Sequence, residues 1–236
     1  MKLVLLAGPP STGKTTILKR IIEHFNSKKK LAYTKIDVVK ANEADDIYTC
    51  YNIPTKTIYT GELCPDHAEV MVMREVIDWA EKLDSDILCL ESAGLCLRCS
   101  PFTSEGIGIV ALNMLSGIHS VDKMQQLICF ADIAVITMID LVSQAEREIY
   151  VRKLKENHNS LMIFETNAKH GTALDRLYEI IEQSEDICLD NIQLKGNPPL
   201  GTCTVCIGNK QIGWQSHYGV VRTIDTNIAD YMYRGD

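Results

Sequence analysis

Residues 8–15, Gly8-Pro9-Pro10-Ser11-Thr12-Gly13-Lys14-Thr15, follow the spacing G-x-x-x-x-G-K-[ST]. Few other octapeptides restrict a fold so strongly. The pattern describes a loop whose successive backbone N–H groups wrap a phosphate while a helix start directs its positive end at the same charge. Such a loop works only between a strand and a helix, and both are legible. Lys2–Ala7 is a short apolar run of strand type, and Thr15–Phe25 places Ile17, Leu18, Ile21 and Ile22 on one helical face. Lys14 is expected to reach the β- and γ-phosphates of a nucleotide and the Thr15 hydroxyl to ligate Mg²⁺. Gly8, Ser11, Thr12, Gly13 and Thr16 complete the expected phosphate contacts. The competing reading is an ordinary strand–turn–helix.

Further strand candidates fall at Leu31–Asp37, Asp86–Glu91, Ile107–Asn113, Ile133–Ile139 and Leu161–Glu165. Helical patterns at Asp66–Leu83, Val121–Phe130, Gln144–Asn157 and Ala173–Glu182 separate most of them. Alternation with continuously apolar strands predicts an α/β fold: a mostly parallel sheet with helices on both faces, its ligand at the carboxyl ends of the strands. Residues 38–64 read as a polar, irregular stretch of the kind that holds nucleotide switches. A domain at 1–186 is expected, followed by a small cysteine-containing β extension at 187–236 with a hairpin over Gln211–Asp225.

The 236 residues are 46% hydrophobic and 23% charged, enough for one sizeable core, and the net charge of −7 argues against nucleic acid or an anionic membrane as the main partner. No apolar run reaches the ~20 residues of a membrane span. Met1-Lys2 leads straight into the first strand without a signal-peptide pattern, so a cytoplasmic location is expected. In that reducing setting the nine cysteines call for metal, redox chemistry or packing rather than a disulfide framework. Cys89 and Cys129, in apolar runs, read as small buried hydrophobes, and Cys50 and Cys188 read alike.

Asp37 and Glu91 each end a strand at the ligand edge, where a carboxylate reaches the Mg²⁺ shell directly or through water. For Asp37 the alternative is a cap on the following loop. Gly94, in Glu91-Ser92-Ala93-Gly94, lets the backbone approach a γ-phosphate and swing after hydrolysis. Thr137-Met138-Ile139-Asp140 aligns with a guanine-reading Thr-Lys-x-Asp element, Met138 standing in for lysine. Asp140 would accept from N1–H and the 2-amino group, donors that adenine lacks there. Asn167-Ala168-Lys169 is similar to the Ser-Ala-Lys element whose backbone contacts guanine O6.

In this order, the phosphate loop, Asp37, Thr60-Gly61-Glu62-Leu63-Cys64-Pro65-Asp66-His67, Glu91–Gly94, Thr137–Asp140 and Asn167–Lys169 resemble the nickel-insertion GTPases of the HypB and UreG type, which group with the CobW proteins. The resemblance covers about residues 1–185. It implies GTP and Mg²⁺ as ligands, slow GTP hydrolysis with Lys14, Asp37 and Glu91 in catalytic roles, GTP-dependent homodimerisation, and delivery of Ni²⁺ or Zn²⁺ to a client apo-metalloenzyme. It also implies that Cys64 and His67 bind that metal at the dimer interface. Here two residues, Pro65 and Asp66, separate that pair, and the tail beyond residue 187 has no counterpart.

Pro65 suits the first position of a helix, so Cys64 and His67, three apart, can project from one side of its first turn. The bland alternative buries Cys64 and leaves His67 in solvent. Cys96-Leu97-Arg98-Cys99 follows Gly94 closely, and Cys203-Thr204-Val205-Cys206 repeats its spacing. Two such pairs suit Zn(Cys)₄ or an iron–sulfur cluster, with a redox dithiol as the other reading. The expected function is a GTP-driven metallochaperone. The alternatives are a small-molecule kinase on the same phosphate loop, or a GTP-regulated scaffold with structural zinc.

Overall fold

The structure, a computed structural model, describes residues 1–38, 42–60, 65–94, 99–196, 210–213 and the backbone of 230–232. The strands are β1 (Lys2–Ala7), β2 (Leu31–Asp37), β3 (Thr55–Tyr59), β4 (Ile87–Glu91), β5 (Ile107–Asn113), β6 (Ile133–Thr137), β7 (Met162–Glu165) and β8 (Asp230–Met232). They form one sheet in the order β7-β6-β5-β1-β4-β2-β3-β8. Every pairing in it is parallel. The helices are α1 (Lys14–Phe25), α2 (Glu43–Tyr51), α3 (Pro65–Lys82), α4 (His119–Lys123), α5 (Gln125–Phe130), α6 (Gln144–Asn157) and α7 (Asp175–Gln183).

Strand periodicity explains the two layers. Alternate side chains of β1 point to opposite faces. Val4 and Leu6 pack with Ile17, Leu18, Ile21 and Ile22 of α1 and with Leu177 and Ile181 of α7. Leu3, Leu5 and Ala7 pack with Val72, Met73, Val76 and Ile77 of α3 and with Tyr150 and Leu154 of α6. Each such buried aliphatic side chain contributes about 1.5–3 kcal/mol. After β1 the chain builds outward through β2 and β3, returns to β4, then continues on the other side through β5, β6 and β7. The carboxyl end of β1 therefore lies where the winding reverses, the place at which open parallel sheets leave a crevice.

Four expectations change. Residues 38–64 contain α2 and β3 rather than irregular chain. The acidic run Glu43, Asp45, Asp46 that reads as polar loop lies in the first turn of α2, where negative charge favours a helix. In β3, Lys56 interrupts the apolar pattern, yet it is buried with its ammonium 5.0 Å from the Trp79 ring centroid. The strand from Ile133 stops at Thr137, because Met138 takes a left-handed φ of 58° and Ile139–Leu141 form one 3₁₀ turn. The pattern over Val121–Phe130 is two short helices, α4 and α5, broken at Met124. Finally, Cys89 is buried, but Cys50, Cys129 and Cys188 are exposed. Leu127 and Ile128 supply the inward side of α5 and turn Cys129 out. The expected hairpin lies outside the described residues from Trp214 onward; before it, Gln193 bridges Gln211 in antiparallel fashion. No helix among the described residues is long and apolar enough to cross a membrane.

Candidate functional site

The start of α1 is left open. Gly13 caps it in a left-handed conformation (φ 84°) without a side-chain hydrogen bond, and no acidic residue lies in the first turn. Orphan N–H groups and the positive helix end are therefore available to an anion. Lys14 is buried and folds back on the loop, donating to the carbonyls of Gly8 (2.8 Å) and Pro9 (3.1 Å). Burial lowers its pKa; Glu91 is the largest opposing influence. The Thr12 hydroxyl donates to the Pro9 carbonyl at 2.8 Å and tightens the same turn.

A carboxylate cluster faces the loop across a cavity of about 330 Å³ lined by Lys14, Thr15, Lys35, Asp37, Glu43 and Glu91, among others. Glu91 is 2% exposed. Its Oε1 accepts from the Thr15 hydroxyl at 2.8 Å and its Oε2 from the Tyr33 hydroxyl at 2.6 Å. Burial, then Glu91, push the Tyr33 pKa well up, so that hydroxyl stays a donor. Asp37 Oδ1 accepts from the backbone N–H of Val38 at 2.7 Å, while Oδ2 lies 3.3 Å from the Lys35 ammonium. Asp37 thus caps the next residue with one oxygen and pairs with Lys35 through the other. Lys35 also lies 2.9 Å from Glu43. Burial pulls the Lys35 pKa down, but Glu91, Glu43 and Asp37 together raise it. For Glu43 burial acts upward and is outweighed by Lys35, so its pKa is lowered. A threonine hydroxyl beside two carboxylates is an all-oxygen donor set of the kind a hard divalent cation takes, so Thr15, Asp37 and Glu91 fit Mg²⁺.

The segment after Glu91 presses on the phosphate loop. Gly94 has φ 62°, and a Cβ there would lie 2.1 Å from the Gly8 carbonyl oxygen. Only glycine allows that backbone-to-backbone approach. Behind it, Ser92 is fully buried near Glu69 of α3, which is itself fully buried. Burial pushes the Glu69 pKa up to about 8; the Ser92 hydroxyl and, more weakly, Lys14 act in the opposite direction.

The guanine-type residues lie at the neighbouring strand ends and do not line this cavity. The Thr137 hydroxyl is buried and donates to the carbonyls of Thr12 (2.9 Å) and Leu112 (3.2 Å), so it braces the phosphate loop. Asp140 is exposed on the 3₁₀ turn beyond β6. Asn167–Lys169 follow β7, and Arg20 of α1 donates to the carbonyls of Ala168 and Lys169.

The sulfur-rich candidates are only partly described. Cys64, Cys96, Cys203 and Cys206 lie outside the described residues. Pro65 does open α3, and His67 is 3% exposed rather than solvated. Cys99 is half-buried. Among the described residues no group of three or more His, Cys, Asp or Glu side chains converges as a metal site.

Residues 2–165 match the family described as CobW/HypB/UreG, nucleotide-binding domain. The chain belongs to the CobW/HypB/UreG family. An uncharacterized protein of Methanocaldococcus jannaschii is 36% identical to this family member over 228 residues, covering 95% of this chain and 97% of the relative. The hydrogenase maturation factor HypB from Archaeoglobus fulgidus superposes with a TM-score of 0.64 at 22% identity, over 77% of this chain and 89% of its own. HypB from Helicobacter pylori, solved in complex with nickel, gives 0.63 at 20% identity, over 80% and 91%. These two share the fold. The CobW/HypB/UreG chain is thus a P-loop GTPase-type protein on an all-parallel α/β sheet.

Sequence reading missed Tyr33, Lys35, Glu43 and Glu69 as parts of this site. A signal existed for Lys35, a lysine set in the buried run Leu31–Asp37, and for Glu69, a carboxylate among the apolar residues of α3. Nothing local marked Tyr33 or Glu43, whose roles depend on strands and helices meeting.

Proposed function

We propose that this chain binds and hydrolyses GTP with Mg²⁺ and uses the cycle to hand a transition-metal ion to a client apo-metalloenzyme through nucleotide-dependent dimerisation. One observation carries the reading: Glu91 is tied to Thr15 and Gly94 is packed on Gly8. The segment is fastened to the phosphate loop at both ends, which supports its responding to a terminal phosphate bound there. The first C-x-x-C pair, Cys96 and Cys99, follows directly.

In this reading Lys14 exchanges its Gly8 and Pro9 carbonyls for phosphate oxygens, and the open N–H groups of α1 bind the same charge. Thr15, Asp37 and Glu91 would hold Mg²⁺, which neutralises developing charge on the phosphates. Tyr33 keeps the Glu91 carboxylate in place. Asp140 and the backbone of Asn167–Lys169 would select guanine. The transported ion is the substrate of the cycle. Cys64 and His67 from two protomers would supply four borderline-soft ligands suited to Ni²⁺ or Zn²⁺, with Cys96, Cys99, Cys203 and Cys206 as a second thiolate set for zinc or an iron–sulfur cluster. Family membership and the nickel complex of a HypB fold relative support nickel. The 187–236 segment is taken as an extension to the nucleotide module, and the site of action as the cytoplasm.

Linkage makes the test reciprocal: if metal and nucleotide are coupled, each changes the other's affinity by the same factor. Ni²⁺ and Zn²⁺ titrations of the full chain with GDP and with a non-hydrolysable GTP analogue should give different affinities. Equal affinities would sink the carrier reading. Iron and sulfide in anaerobically purified protein would redirect it to cluster chemistry.

A further inference from the structure

Lys35 has no part in the cycle described so far, yet it occupies the middle of the site. It is 5% exposed and lies beside Glu91 in the register of β2 and β4. Its ammonium is 2.9 Å from Glu43, 3.3 Å from Asp37 and 3.8 Å from Glu91. Two of these carboxylates belong to the set that fits a divalent cation. The third is the first residue of α2. A single positive charge among three carboxylates, beside the Thr15 hydroxyl's own partner, holds the position that suits Mg²⁺.

Charge balance indicates what happens when nucleotide arrives. Among the described residues, the charged ones lining the cavity are Lys14, Lys35, Asp37, Glu43 and Glu91, two positive and three negative. Without Lys35, one positive group of that described lining would face three negative ones and an incoming polyphosphate. Were Asp37 and Glu91 to hold a divalent cation, Lys35 would share two of its three partners with it. A buried ammonium is costly to leave poorly paired, and the anion newly placed in the same cavity is the nucleotide's terminal phosphate. We propose that Lys35 is a second phosphate-binding lysine: its ammonium, set among Asp37, Glu43 and Glu91, pairs with the terminal phosphate and so distinguishes triphosphate from diphosphate. The inference rests on the GTP reading above and adds to it the residue that senses the third phosphate.

The test is a comparison of affinities in the presence of Mg²⁺, GDP against a non-hydrolysable GTP analogue, for the full wild-type chain and for Lys35→Gln. The expected result is a preference for the analogue that falls by about tenfold or more, the scale of one charge-assisted hydrogen bond, while GDP affinity stays within about threefold. Glu43→Gln, which leaves the ammonium in place, should keep or increase that preference. An unchanged ratio in Lys35→Gln would mean that Lys35 stays with Glu43 and is structural, overturning the inference while leaving GTP binding intact. Failure of the wild-type chain to bind either nucleotide would overturn the GTP reading as well. Should Lys35→Gln not fold, the ¹⁵Nζ resonance of Lys35 in the wild-type chain decides. It should shift between the GDP and analogue complexes, and an unmoved resonance overturns the proposal.

Discussion

Where the phosphate loop meets β2 and β4, ionisable side chains are buried and paired with one another; where β6 and β7 end, Asp140 and Lys169 stand exposed. The buried end is assembled from the chain's own groups. Thr15, Tyr33, Lys35 and Glu91 satisfy each other, and Gly94 rests on Gly8. The loops at the other end are anchored from beneath, through Thr137 and Arg20, while Asp140 and Lys169 face outward. The difference teaches that the end proposed to hold phosphate is fixed by the core of this fold, while the end proposed to select a base is carried by loops that the core only positions.

The largest effects should come from the assembled end. In Gly94→Ala the new Cβ meets the Gly8 carbonyl oxygen at 2.1 Å, so one of two backbones must move. We expect loss of nucleotide binding and a lower melting temperature, with strain of at least ~1–3 kcal/mol, measured by titration and thermal unfolding. Lys14→Ala should weaken GTP binding by about 10- to 100-fold without comparable loss of fold. At the open end, Asp140→Asn should leave GDP affinity within tenfold but erase most of the discrimination against adenine nucleotides, roughly 10–100-fold. Competition binding checks this, and unchanged selectivity would place the base reader elsewhere.

Glu69 gives a smaller, pH-dependent effect. Its folded pKa of about 8 lies above the usual 4.5. The folded chain therefore holds a proton that the unfolded chain has released, and stability falls as pH rises between these values, by at most ~1.4 kcal/mol per unit. Glu69→Gln should flatten that slope in denaturant titrations at pH 5, 6.5 and 8. Smallest of all, Arg20→Ala should loosen the Ala168–Lys169 loop and reduce GTP affinity only a few-fold, on the scale of ~1 kcal/mol for exposed contacts.

Much of the assembled end is legible in the chain itself. Backbone demands are encoded by Gly13, Lys14 and Thr15, and Glu91 is visible as a carboxylate closing the apolar run Ile87–Leu90. Central strands are readable because both their faces are buried. The edge toward β3 is not, since Lys56 hides an apolar pattern that only the Trp79 ring makes tolerable. Helix α2 is masked by carboxylates that serve its first turn and, through Glu43, the Lys35 cluster. The triad of carboxylates around Lys35 could not be read at all, because it joins β2, β4 and α2 through register and packing rather than spacing.

Cys89 lies on β4 between β1 and β2, fully enclosed, with burial pushing its thiol pKa up to about 12. A thiol so placed is inert toward alkylating reagents while the sheet is intact. Its appearance in peptide mass maps after timed reagent pulses would therefore act as a clock for opening of the central strands, built into the native chain without any added label.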